Sequence, residues 1–249
     1  MMPCLKVCMK EQPGRTSTVS RLAPWCAVAV LALIGIAAAI GRVASVANGG
    51  LTEEQIRRLT PAETVQETYQ LDRWFVAHPA LILFHVVPGA LFLTLVPFQF
   101  SSRIRNRYIR FHRWSGRVLV LIASLAGLSG LLLGASFPYG GPAAASAVFV
   151  AGSLFLFALI RAFIVIRRQD VVLHREWMIR MFSLGIGIST VRIVALILFA
   201  ITRARMETLA GWSFWSGWIL TFAAAEWWIR QTRPPRVAVR DAIVTATGD

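Results

Sequence analysis

Six stretches of this chain are apolar over about the length that a membrane helix needs, and this repetition limits the fold more than any other feature. Crossing the hydrocarbon layer takes about 20 mostly apolar residues in helical form. Residues 22–41, 79–100, 114–135, 142–166, 177–200 and 212–229 meet that requirement. None alternates with the period-two pattern of a barrel strand. The expected fold is therefore all-α: a polytopic membrane protein, a bundle of six transmembrane helices. The division is a tail over 1–21, a membrane domain over 22–230 and a second tail over 231–249. No remaining stretch is long enough to bury a soluble core.

Composition agrees. The chain is 56% hydrophobic and 15% charged with a mean hydropathy of +0.61, which excludes a water-soluble domain, a disordered chain and a disulfide-stapled secreted scaffold. The net charge is +14. In a soluble protein that would suggest nucleic acid. Here the basic residues sit between apolar runs, so the lipid bilayer is the partner and nucleic acid is not. Four basic residues precede the first span, six fall between 103 and 117, five between 161 and 180, and four between 230 and 240. The opposite side has six, at 42, 57, 58, 73, 203 and 205, and Arg192 remains, inside a span. By the positive-inside rule both termini are cytoplasmic. The long basic leader and the length of the first span read as an uncleaved anchor rather than a signal peptide. Cys4, Cys8 and Cys26 suggest neither a disulfide nor a metal site.

The extracytoplasmic segment 42–78 has two capping-box patterns, Thr52-Glu-Glu-Gln55 and Thr60-Pro-Ala-Glu63, which predict two short helices. The second, with Val65, Tyr69, Trp74 and Phe75, is expected to lie along the outer interface as an ordered connector.

Ionisable groups inside spans are costly, which makes them functional candidates. Two sets emerge. On the inner side, His112 and His174 open spans three and five at one depth. His112, Gly116, Ala123, Gly127, Gly130 and Gly134 share a helical face, as do His174, Met178, Met181, Gly185 and Arg192. Two imidazoles on separate helices beside small residues, here Gly116 and Gly185, are what a bis-histidine haem b requires, with His112 and His174 as iron ligands. The competing account is structural: His-Arg-Trp at a span end is an interfacial anchor, and small residues at four-residue spacing join membrane helices. On the outer side, His85 and Arg192 lie at similar depth. Pro88 should free the carbonyl of Phe84, four residues back. An imidazole, a guanidinium and a free carbonyl could hold a small anionic ligand; alternatively Arg192 snorkels outward and His85 bonds that carbonyl. Glu226 is expected to pair with Arg180 or a neighbour, as structural compensation.

Several motifs resemble a family of bacterial integral membrane proteins, domain of unknown function 2306. These are His85 with Pro88-Gly89, Pro97-Phe98-Gln99-Phe100, His112-Arg113-Trp114-Ser115-Gly116-Arg117, and His174-Arg175-Glu176-Trp177-Met178-Ile179-Arg180, closing with Arg192. The resemblance implies a polytopic bundle in the bacterial cytoplasmic membrane and no particular activity. More distantly, the histidines on spans two, three and five resemble those of diheme cytochromes b, but span four has none, which leaves room for one haem at most. Two functions follow. One is an accessory membrane protein that binds a small ligand such as a quinone or an anion, alone, as a homo-oligomer or in a membrane complex. The other is an electron-transfer protein with one haem b. No nucleophile–base pair or nucleotide loop argues for an enzyme.

Overall fold

A computed structural model describes residues 18–136 and 140–233. The tail cysteines Cys4 and Cys8 and the outermost basic residues of both tails lie outside that range. Among the described residues there is no strand. The long helices are α1 (Thr18–Ala47), α4 (Pro79–Gln99), α6 (Ile109–Ser136), α7 (Gly141–Arg167), α8 (Val171–Thr202) and α9 (Met206–Thr232); the short ones are α2 (Glu53–Leu59), α3 (Val65–Ala77) and α5 (Ser102–Arg107). Five helices are long and apolar enough to cross a membrane: Pro24–Ala47 within α1, then α4, α6, α7 and α8. The sixth expected span, α9, has the length but is not among them. Its five tryptophans, with Glu207, Glu226 and Arg230, dilute its aliphatic content. The bundle's outer surface is strongly apolar, with Leu33, Leu121 and Ile201 each more than 60% exposed, as lipid-facing positions are.

The helices pack around a ring. α4 lies between α1 and α6, α7 between α6 and α8, and α8 touches α1 to close the circuit, while α9 sits against α7 and α8. Small residues permit the close approaches. A Cβ on Gly35 of α1 would lie 2.9 Å from the Ser189 hydroxyl of α8, and a Cβ on Gly217 of α9 would lie 2.7 Å from the Val191 Cα. At mid-height the ring is filled by Phe92, Phe155 and Phe182, with Phe92 edge-on to Phe155 at 5.6 Å.

At the inner end, α8 and α9 are locked by a chain of charges. Glu176, 3% exposed, accepts both Nε and Nη2 of Arg233 at 2.8 Å. Arg180 lies 3.7 Å from Glu176 and donates to Glu226 at 2.5 and 3.2 Å, the pairing expected from sequence. The hydrogen bond to Glu176, together with its charge, holds the Arg233 guanidinium above its ordinary value.

In the outer segment the first capping box forms: Thr52 Oγ1 accepts from Gln55 N at 3.2 Å and Gln55 Oε1 accepts from Thr52 N at 2.8 Å. The second does not. Thr60 instead ends α2, its hydroxyl donating to the Ile56 carbonyl, and a 3-10 turn over Ala62–Thr64 leads into α3. The C-terminal position won because Thr60 lies within reach of the last carbonyls of α2.

Candidate functional site

Inside the ring is a cavity of about 750 Å³, walled by α1, α4, α6, α7, α8 and α9 and roofed by α3. Its floor is the ring-filling Phe92–Phe155 pair with Leu184 and Gly185. Most of the wall is glycine, alanine and aliphatic side chain, and this dearth of bulk keeps the space open.

Both outer-side candidates, His85 and Arg192, line this cavity. Pro88 lacks the amide hydrogen that would have met the Phe84 carbonyl. That carbonyl lies 3.2 Å from the Ser129 hydroxyl of α6, which also sits 2.6 Å from its own Leu125 carbonyl. His85 therefore does not take the Phe84 carbonyl. Its Nδ1 meets the Ala126 carbonyl across the α4–α6 seam at 3.0 Å. A carbonyl only accepts, so Nδ1 carries the hydrogen, and Nε2 is the nitrogen left for the cavity. Gly130 makes the placement possible: a Cβ there would come within 3.0 Å of His85 Cε1. Sequence reasoning missed Ser129. Its signal was a hydroxyl on the same small-residue stretch of α6 that receives the Pro88 helix.

Arg192 donates to the Ile188 carbonyl of its own helix at 3.1 Å. Among the described residues no carboxylate forms an ion pair with it. It lies within electrostatic reach of His85.

The roof is pinned at two points. Asp72 of α3, 2% exposed, accepts from Arg42 Nη1 at 2.7 Å, Ser45 Oγ at 2.5 Å and Leu51 N at 2.7 Å. Arg42 also stacks over the Phe75 ring, 3.9 Å from its centroid. At the other end of α3, Glu67 accepts from Arg205 at 2.5 Å and from the Met206 amide at 2.9 Å, capping the start of α9. Neither Asp72 nor Glu67 was singled out from sequence. The only cue was an acidic residue in the outer segment opposite the basic Arg42 or Arg205, a pairing that chain separation conceals.

The inner-side candidates are dispersed. His112 and His174 are within electrostatic reach of each other, but α6 packs on α4 and α7 while α8 packs on α7, α9 and α1, so α7 stands between their helices on one side. His174 Nδ1 meets the Ala162 carbonyl of α7 at 2.9 Å, and His112 Nδ1 is buried without a hydrogen-bond partner. Around them are Arg105, Arg113 and Arg175. A Cβ on Gly116 would find only Gln99 Oε1, at 3.9 Å. Gly185 is elsewhere: a Cβ on it would lie 2.6 Å from Phe92, in the floor of the outer cavity, about 16 Å along α8 from His174 at 1.5 Å per residue.

Residues 82–229, more than half of the chain, match the family described as predicted membrane protein (DUF2306). The chain belongs to this family. No curated protein and no solved structure matches it. The DUF2306 match takes in His85, His112, His174 and Arg192 together with α6, α7 and α8. It begins inside α4, so α1 and the roof, with Arg42, Glu67 and Asp72, lie outside it. Chemically, the arrangement offers a largely apolar chamber with the His85 imidazole, the Arg192 guanidinium and the Arg42–Asp72 pair as its ionisable groups.

Proposed function

We propose that this DUF2306 protein is a ligand-binding protein of the bacterial cytoplasmic membrane that holds a small molecule in the chamber beneath α3, with His85 and Arg192 as its polar contacts. The observation that carries the reading is that both of these groups, on helices far apart in sequence, line one cavity of about 750 Å³. That size is in the range that encloses a drug-sized ligand, as is the mixture of apolar wall with few polar groups. In this reading all six long helices cross the membrane, within one domain over 22–230, and both termini are cytoplasmic. The 19-to-6 distribution of basic residues supports that topology, as do the outward-facing Trp212, Ile219, Leu220 and Trp227 of α9.

The test is to fill the chamber. A Cβ on Gly89, in the chamber wall, meets nothing within 4 Å, so Gly89→Leu adds bulk at the wall from an unobstructed position. Native mass spectrometry of the protein extracted from its own membrane should show a bound small molecule in the wild type and not in Gly89→Leu. The same bound species in both, or none in either, refutes the reading.

A second reading, an electron carrier with a single haem b between His112 and His174, is supported by the partnerless His112 Nδ1 and by the Ala162 hydrogen bond that leaves His174 Nε2 free. A carbonyl bond on one ring nitrogen commonly orients a metal-ligating histidine. The haem would supply one-electron chemistry. Purified protein with a Soret band that disappears in His112→Ala and His174→Ala would support it; a colourless wild type from haem-replete cells rejects it.

A further inference from the structure

Arg192 is placed where a fixed positive charge is hardest to accommodate. On α8 it stands 12 residues from Arg180 and 11 from Arg203, about 18 Å and 16 Å at 1.5 Å per residue, so it lies inside an apolar span, with its side chain exposed rather than packed. Its guanidinium cannot shed its proton. Such residues face a partner or a water-filled cavity, and Arg192 faces the cavity. Among the described residues no carboxylate answers it. Asp72, which lines the same cavity, is taken by Arg42, and Glu67 by Arg205 and the start of α9, while Glu176 and Glu226 lie toward the other end of α8 with Arg180 and Arg233. The Arg42–Asp72 pair at the roof is neutral as a unit. Among the described residues the chamber therefore contains one uncompensated unit charge, in walls that are mostly glycine, alanine, aliphatic and aromatic.

We infer that the ligand of this chamber is an apolar molecule carrying a single carboxylate, held by Arg192. The inference rests on the ligand-binding reading above and specifies what the ligand must be. Charge balance sets the number: among the described residues Arg192 is the one lining guanidinium without a carboxylate partner and neutralises a monoanion, whereas the second charge of a phosphate monoester would meet only Arg42, already paired with Asp72. Geometry sets the head group: the planar fork of a guanidinium matches the two oxygens of a carboxylate. The rest of the wall sets the body, which must be apolar to fill the space. His85 Nε2 is the second polar contact.

The experiment measures binding of radiolabelled laurate to the full chain in phosphatidylcholine nanodiscs, with 1-dodecanol, dodecyl phosphate and acetate as competitors. We expect one saturable laurate per chain, competed weakly by the alcohol and the phosphate and not by acetate. Arg192→Gln should weaken laurate about tenfold or more, the order expected for loss of a charged hydrogen-bonded contact, and leave the alcohol's own weaker binding unchanged. Arg192→Lys, which keeps the charge but not the fork, should fall between. If laurate and dodecanol compete equally in the wild type, the chamber binds lipophiles without reading an acid group, and the inference fails while the ligand-binding reading stands. That competition needs no variant and decides the matter even where Arg192→Gln does not insert. Full competition by acetate marks a small-anion site, and stronger binding of dodecyl phosphate a dianion site; either overturns the inference. If neither laurate nor dodecanol binds the wild type, the inference fails, while the ligand-binding reading is judged separately by the Gly89→Leu comparison.

Discussion

Asp72 ties the roof to the ring, and removing its carboxylate should open the chamber from above. In Asp72→Ala three donors lose their acceptor at once: Arg42 Nη1, Ser45 Oγ and Leu51 N. Removing one partner of a buried ion pair costs about 3–5 kcal/mol because the other charge is left unpaired. Arg42 moderates this. Its side chain is 26% exposed, so water can reach it, and its stacking on Phe75 survives the substitution. We therefore expect about 2–4 kcal/mol, felt mainly as local opening of α3 rather than global unfolding. At tenfold per 1.4 kcal/mol, amide hydrogen exchange through α3 should accelerate roughly 30- to 700-fold, with α6 and α7 unchanged. The double variant Arg42→Met/Asp72→Leu removes both charges and should cost far less than the sum of the two single changes. Exchange in α3 within about threefold of wild type would refute the assignment of Asp72 as the pin; additive single and double effects would refute the ion-pair argument.

Other outcomes follow from the same geometry. Glu176→Gln removes the acceptor of the bidentate Arg233 pair and a neighbour of Arg180, so it should lower unfolding stability in detergent by about 2 kcal/mol or more. Arg233→Gln should cost less, since Glu176 keeps Arg180 nearby, and the reverse order would be wrong for this network. Gly130→Ala places a Cβ 3.0 Å from His85 Cε1, so the ring must give by a few tenths of an ångström; this should strain its bond to the Ala126 carbonyl and reduce retention of the chamber's ligand, whereas Gly89→Ala, with open space at its Cβ, should not. Equal retention in both variants would count against His85 as a contact. For topology, alkaline phosphatase fused after Asp249 should be inactive and a cytoplasmic fluorescent reporter there bright; an active phosphatase would mean an odd number of crossings or the opposite orientation.

The parts legible in the sequence were those governed by local chemistry. Length and hydropathy located the long helices, because a lipid-facing helix must be apolar over its own contiguous residues. The Thr52–Gln55 box and the freed Phe84 carbonyl were readable because each depends on residues three or four positions apart. Arg180–Glu226 was readable because two opposite charges at one membrane level have few alternatives. The Thr60 box failed where two local rules competed, one for starting a helix and one for ending the preceding one. α9 was counted on length, yet its tryptophans make its composition depart from that of the other spans.

The chamber was not legible, and the reason is physical. An empty space is defined by what six helices fail to supply, and no single segment records that failure. Small residues on α6 read equally well as helix-packing glue or as cofactor wall, and in the structure they make room for different neighbours. Gly127 lets α7 approach, since a Cβ there would meet Leu156, whereas Gly130 admits His85. Gly185 shows the same ambiguity from the other side. Its helical face aligned it with His174, but Phe92 lies against it and makes it floor. The signal that did survive in one dimension was charge. Arg192, inside a span, was legible as either a ligand contact or a side chain snorkelling outward. Among the described residues no carboxylate pairs with Arg192, and its side chain lines the chamber, where the proposed ligand would meet it.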